Sequence, residues 1–303
     1  MKFLNKFFGV SVVLTTFNGK SKGFLDDAIN SVLSQTYDNF ELIIIDDGSN
    51  DNTYGYVCLN FLHPKVRVIT QENSGVSNAR NIGIKNAKFD LIAFLDDDDV
   101  WYPQKLAIQV AEFEKFPDIG MNYCAIERVD KQGNFLNFQY HIATPDMYQK
   151  LLLSNIVDAT SGVIVKQNIF DQIGGFSQIT QGAEDYEMWI RIASKFKINS
   201  IEQPLLKYRV HASNDSRNID KSMIALEQMF EKVCENDISL DKPRLLFNAY
   251  KNLANKSFEI ENYDKFREIV NKMAKIATVD KKLEAKYFLS FFPLLIKFAR
   301  RFR

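Results

Sequence analysis

Four short apolar runs in the first hundred residues, at 10–14, 40–45, 66–69 and 91–95, constrain what this chain can fold into more than any other feature. They are β-branched or leucine-rich and almost unbroken by polar residues, as expected of strands buried on both faces. Between them the apolar residues change to a helical period. Leu25, Ala28, Ile29, Val32 and Leu33 fall at i, i+3, i+4, i+7 and i+8. Ser74-Gly75 opens a second helix through about Ala87, and Pro103, at a first helical position, a third through Phe116. Strands that alternate with helices and have no polar face predict an α/β fold with a mostly parallel sheet flanked by helices. From 120 to 210 the elements are shorter, with strands near 121–126 and 161–165. From about 217 the pattern is helical, including two acidic-aromatic helices at 243–256 and 261–277 that could form a TPR-like pair.

Charge adds a second constraint. The chain has 38 Lys+Arg and 38 Asp+Glu, so it carries no global basic excess for phosphate neutralisation, which argues against nucleic acid as a partner. The balance hides a split of −6 over residues 1–215 and +6 over 216–303. Much of the positive charge gathers at the end, where residues 287–303 hold six aromatics, four basic residues and no acid. That composition suits either peripheral contact with an anionic membrane or a last helix packed on the domain, its basic residues complementing the helix dipole. Cys58, Cys124 and Cys234 are distant and odd in number, so the expected setting is a reducing cytoplasm, at the inner face of the membrane if the tail binds it. The apolar run 7–14 is too short for a signal peptide core with a cleavage site and reads as the first strand.

Ligands of open α/β sheets bind beyond the carboxyl ends of the strands. Those ends carry Thr15-Thr16-Phe17-Asn18, Asp46-Asp47-Gly48-Ser49, the segment 73–81 with Ser74, Gly75 and Arg80, and Asp96-Asp97-Asp98-Asp99. Four adjacent carboxylates repel one another unless a cation or solvent relieves them, so the last cluster is either a hard-oxygen metal site or a solvated acidic turn. Asp-Gly is by itself an ordinary turn, Arg80 an ordinary surface arginine on a capped helix, and Phe17 an ordinary core residue.

Taken in order, these segments resemble the inverting family 2 glycosyltransferases, which have the GT-A nucleotide-sugar-binding fold. The resemblance rests on residues 10–18, Ser34-Gln35-Thr36-Tyr37, residues 41–49, 74–81 and 94–101, and downstream on residues 182–189 and Tyr208-Arg209-Val210-His211. It covers about residues 9–215. It implies a GT-A domain over 1–215, with a nucleotide-sugar half at 1–100 and an acceptor half at 101–215, followed by a helical C-terminal region at 216–303.

The resemblance also implies roles. Thr16 and Phe17 would border the nucleobase and Asp47 would hydrogen-bond it. Arg80 would lie near the diphosphate. Asp98 would bind Mn2+ or Mg2+ directly, Asp96 would reach ribose or metal, and His211 would approach the metal or diphosphate. Asp185, after Glu184, would be the catalytic base; without the resemblance this pair is simply an acidic helix start, which the dipole favours. Thr15 departs from the family's more usual Pro, and Asp97 from its usual Ser; the second departure blurs which carboxylates bind metal. The implied activity is inverting transfer from a nucleotide-diphosphate sugar, a UDP-sugar for preference, to a hydroxyl of a glycan or lipid-linked acceptor in cell-surface polysaccharide synthesis. Two alternatives are a nucleotidyltransferase, disfavoured by the absence of a basic glycine-rich loop before Lys20, and a non-catalytic nucleotide-sugar-binding protein.

Overall fold

The computed structural model describes residues 8–211 and 218–279. The described residues divide into two compact units, one of 8–151 with 156–211 and one of 152–155 with 218–279. The tail at 287–303, read above as a membrane or docking segment, lies outside the described residues. Among the described residues no helix is long and apolar enough to cross a membrane.

The first unit is built on one mixed sheet. Its strands are β1 (Val10–Thr16), β2 (Phe40–Asp46), β3 (Val66–Thr70), β4 (Leu91–Asp96), β5 (Val100–Trp101), β6 (Ile119–Val129), β7 (Phe135–Gln139), β8 (Val163–Lys166) and β9 (Lys197–Arg209). Its helices are α1 (Gly19–Lys22), α2 (Leu25–Leu33), α3 (Thr53–Asn60), α4 (Val76–Asn86), α5 (Lys105–Lys115), α6 (Met147–Leu153, whose last two residues belong to the second unit), α7 (Gln167–Ile173) and α8 (Glu184–Ala193). The spatial order is β3-β2-β1-β4-β8-β6-β9-β5, with β7 added to β6. The first four strands run parallel, as their apolar runs predicted. Chain order reverses at β1, which lies between β2 and β4, so a crevice opens at their carboxyl ends.

Burial explains the pattern. All residues of β1 are buried, with Val10, Val12 and Leu14 in a core that includes Leu25, Ile29 and Val32 of α2. On the other face α4 approaches so closely that a Cβ on Gly83 would come within 2.2 Å of Val13 Cγ1, so only glycine fits there. The strand register sets Thr16 beside Asp46 and Thr15 beside Asp96, which aligns the polar ends of three strands on one edge.

The structure departs from the sequence reading in the second half of this unit. Pro103 sits in a turn two residues before α5 rather than at its first position. β5 and β7 were not anticipated, and the strand expected before His211 extends over thirteen residues as β9. β9 pairs with β6 in parallel and with β5 antiparallel, contacts between segments far apart in the chain that local periodicity does not encode.

The second unit contains α9 (Ile219–Asn236), α10 (Lys242–Glu259) and α11 (Tyr263–Val279). Asn218 and Asp241 cap the first two by accepting from the N–H groups of Lys221 and Arg244. Met223, Phe247, Tyr250, Leu253, Phe266 and Ile269 form its own core.

One core residue of the first unit is out of character. Lys105 is completely buried, its Nζ 2.5 Å from Gln109 Oε1 and 4.1 Å from the centre of the Trp101 ring. Burial pushes its ammonium down to about 8. The unfolded chain therefore binds more protons than the native one between about pH 8 and pH 10, and native stability rises with pH across that window. Lys105→Met removes this dependence. Its stability relative to wild type, measured by urea unfolding, is expected to fall by about 2–3 kcal/mol between pH 7 and pH 10.5. Parallel pH profiles for the two proteins would rule the idea out.

Candidate active site

The four carboxylates after β4 point in alternate directions. Asp97 turns inward, accepting from Thr16 Oγ1 at 2.6 Å and pairing with Lys22 Nζ at 3.0 Å. Asp99 is buried too; its Oδ1 accepts from the Arg209 N–H at 3.0 Å. The side chains of Asp96 and Asp98 keep 34% and 20% of their surface in solvent. The extra charge at Asp97 is thus spent on a tie to Thr16, which leaves an Asp-x-Asp pair facing the crevice.

Asp98 Oδ2 lies 2.9 Å from His211 Nε2, and burial together with Asp96 and Asp97 pushes its carboxyl up to about 6. His211 stacks on Phe24, with ring centres 5.3 Å apart. Arg209 holds this arrangement from below. Its Nε donates to Asp98 O, one terminal nitrogen to Lys131 O and the other to Asp27 Oδ2, each at 3.0 Å, while its guanidinium lies 4.6 Å from the Phe24 ring centre. Sequence reasoning quoted Arg209 within a motif but gave it no task, because its partners lie on three distant segments.

The residues expected on the donor side meet at the ends of β1 and β2. Thr16 is buried and its carbonyl accepts from the Asp47 N–H at 2.9 Å, whereas Phe17 is 37% exposed. The Asp47 carboxylate receives the N–H groups of Ser74 and Gly75, both at 2.9 Å, and Gln71 Nε2 at 2.5 Å. These N–H groups lie at the start of α4, and the anion they hold is Asp47.

Arg80 joins the two halves. Only 4% exposed, it donates to Asp96 Oδ1 at 2.8 Å and to Glu184 Oε1 at 3.1 Å. Glu184 also accepts from the Gly182 N–H at 2.6 Å. Asp185 follows at the start of α8, where the dipole favours acids. Its Oδ1 accepts from the Tyr186 N–H at 2.6 Å, and Thr160 Oγ1 lies 3.4 Å from its Oδ2. Burial, then Glu184, push this carboxyl up to about 6, against the opposing pull of Arg80. The segment before α8 is fixed by α4: Asn81 bonds both the N–H and the carbonyl of Phe176, and a Cβ on Gly175 would come 2.2 Å from Asn81 Oδ1. Ser161 supplies the last brace, accepting from the Asp96 N–H at 3.0 Å. Neither Thr160 nor Ser161 announces itself in the sequence.

The donor set fits a divalent cation completed from outside the protein. Among the described residues no group of three or more His, Cys, Asp or Glu converges on one point. Asp98 and His211 do meet, and a hard cation is commonly held by one or two carboxylates together with substrate phosphates.

Comparison with known proteins agrees with this geometry. The profile described as glycosyl transferase family 2 matches residues 11–179. An uncharacterised glycosyltransferase of Rickettsia conorii is 27% identical over 288 residues, covering 90% of this chain and 46% of that protein. The chain thus spans about half the length of that relative. The Escherichia coli protein WfgD, named as a UDP-Glc:α-D-GlcNAc-diphosphoundecaprenol β-1,3-glucosyltransferase, is 30% identical over 217 residues, 71% of this chain and 82% of its own. Among solved structures, S. aureus TarS 1–349 with UDP-GlcNAc superposes with a TM-score of 0.65 at 16% identity, over 88% of this chain and 81% of that one. A Pyrobaculum calidifontis mannosyltransferase, PcManGT, solved with GDP-Man and Mn2+, gives 0.57 at 17% identity, over 91% and 88%. At such identities the shared property is the GT-A fold.

Proposed function

The chain belongs to glycosyl transferase family 2, and from that membership we propose that it moves a sugar from a nucleotide-diphosphate donor, a UDP-sugar, to a hydroxyl of a lipid-linked or glycan acceptor with inversion at the anomeric carbon. The observation that carries this reading is the Arg80 bridge, which brings Asp96 at the end of β4 and Glu184-Asp185 at the start of α8 to one site. The relatives named for UDP-sugars and for a diphosphoundecaprenol acceptor support the donor and acceptor classes.

Thr16 and Phe17 border the nucleobase, and Asp47 shapes its pocket by fixing the 71–75 loop. Asp98 and His211 hold Mn2+ or Mg2+, with Asp96 beside them; when bound, the cation offsets the charge of the departing diphosphate. Arg80 places a fixed positive charge under the same end of the site. Asp185 takes the proton from the acceptor hydroxyl as its oxygen bonds the anomeric carbon and the bond from that carbon to the diphosphate oxygen breaks on the opposite face. A carboxyl raised to about 6 is ionised at neutral pH, yet more basic than an ordinary aspartate.

The donor class is tested by thermal denaturation with Mn2+ and saturating UDP-, GDP- and dTDP-sugars. A donor at a hundred times its Kd stabilises the native state by about 2.7 kcal/mol, so one UDP-sugar is expected to raise Tm by several degrees above the others. Transfer is then assayed with that donor on free hexoses and on short-chain lipid diphosphates bearing α-linked N-acetylglucosamine. No shift with any donor would exclude the reading.

A further inference from the structure

The site described so far contains the proposed base but nothing that would recognise the acceptor. Sheet order gives a direction in which to look. The donor-side ends of β1 and β2 lie on one flank of β4, and β8 and β6 lie on the other. The segment entering β8 contains Thr160, which touches Asp185, and Ser161, which braces Asp96. Between Asp158 and Thr160, Ala159 is fully extended, with φ −149° and ψ 133°. Side chains on either side of an extended residue project to the same face, about 6–7 Å apart. Asp158 therefore shares the face of the base's own contact, roughly one sugar ring away.

Asp158 is a built feature rather than a stray surface acid. Its side chain is 12% exposed, and Oδ1 accepts from Gln139 Nε2 and lies 3.5 Å from His141 Nε2. Both of these contacts run through Oδ1. The loop carrying His141 is pinned on two sides: Tyr123 Oη donates to His141 O at 2.7 Å, and Ser200 Oγ meets both Tyr140 Oη at 3.1 Å and the Ala143 N–H at 2.8 Å. Burial raises the Asp158 carboxyl, while His141, Gln139 and Arg128 draw it back. A carboxylate accepts hydroxyl hydrogens, and the imidazole beside it, 43% exposed, has a second ring nitrogen with which to meet a sugar hydroxyl.

We propose that Asp158, oriented by Gln139 and His141, is a hydroxyl-binding subsite for the acceptor sugar, engaging a hydroxyl or amide N–H one ring position away from the hydroxyl that Asp185 deprotonates. This rests on the glycosyltransferase reading above and adds the acceptor class: a neutral or N-acetylated terminal sugar with a free donor group, and not a uronic acid, whose carboxylate would face Asp158.

The test uses the full chain with its best donor and the acceptor panel named above, extended with glucuronic acid. Donor hydrolysis without acceptor reports folding, donor binding and the basal reaction. Asp158→Asn is expected to raise the acceptor KM tenfold or more and to leave donor KM and donor hydrolysis unchanged, with Asp158→Glu recovering part of the loss. His141→Gln is expected to raise acceptor KM by a few fold. An acceptor KM in Asp158→Asn equal to wild type, an equal fall in donor hydrolysis, or efficient transfer to glucuronic acid overturns the subsite. Donor hydrolysis with no transfer to any neutral sugar overturns the acceptor class and the subsite with it, whereas a chain with neither donor hydrolysis nor transfer to any acceptor overturns the glycosyltransferase reading itself.

Discussion

Asp185→Asn is expected to lower kcat about a thousandfold while the protein becomes more stable near neutral pH. The kinetic part follows from the proton that must leave the acceptor hydroxyl: positioned general bases contribute about 10²–10⁴, and the amide has no basic lone pair. Donor affinity should change little, because Asp185 lies on α8, on the far side of Arg80 from Asp96. The stability part follows from the carboxyl itself. Its native value of about 6 stands above the ordinary value near 4, so the native state binds more protons than the unfolded chain in that interval. The stability present below pH 4 is lost as pH rises through 6, by about 3 kcal/mol, and the amide escapes the loss. Wild-type kcat should rise with pH through about 6 and then level off, and the variant should lack that limb. Wild-type kcat in the variant would remove Asp185 from the mechanism. A thousandfold loss together with lowered stability would indicate misfolding instead.

The first half of the sheet was legible because each strand there is a local event: a β-branched run, a polar end and a helix with its own period. The same locality made Thr16, Asp47, Asp96 and Asp98 visible, since each lies directly after such a run. What the sequence withheld depends on partners distant in the chain. Nothing near Asp97 says that it ties Lys22 and Thr16, and nothing near Arg209 says that it clamps Asp27, Lys131 and the Asp98 carbonyl. Nothing near Asp158 in the chain marks it either; the extended backbone at Ala159 sets it on the face of Thr160. Pro103 misled for a related reason: its fixed φ suits a turn as well as a first helical position, and the tertiary bond from Thr36 N–H to the Pro103 carbonyl accompanies the turn.

Arg80→Met should be the most destabilising single change in the site, costing about 3 kcal/mol. Removing one member of a buried ion pair leaves the others charged and unpaired, which typically costs about 3–5 kcal/mol; the lower end applies because Asp96 keeps a third of its side chain in solvent. Glu184, with 10% of its side chain exposed and its second oxygen on Gly182 N–H, has no such relief. The loss should depend on pH in a definite sense. Without the guanidinium, the native carboxyl of Asp185 rises further, so the native state binds more protons than the unfolded chain and stability falls as pH increases. The variant should therefore sit closer to wild type at pH 5 than at pH 8. In the same protein the pH-rate limb of Asp185 should move above 6, because Arg80 is what holds that carboxyl down against burial and Glu184. Arg80→Lys, which keeps the charge but not the two-pronged reach to Asp96 and Glu184, should fall between the two. Chemical denaturation at both pH values, with kcat followed from pH 5 to 9, checks all of these. An Arg80→Met protein as stable as wild type at pH 8, with an unmoved limb, would mean that the bridge between the two halves of the site has no energetic role.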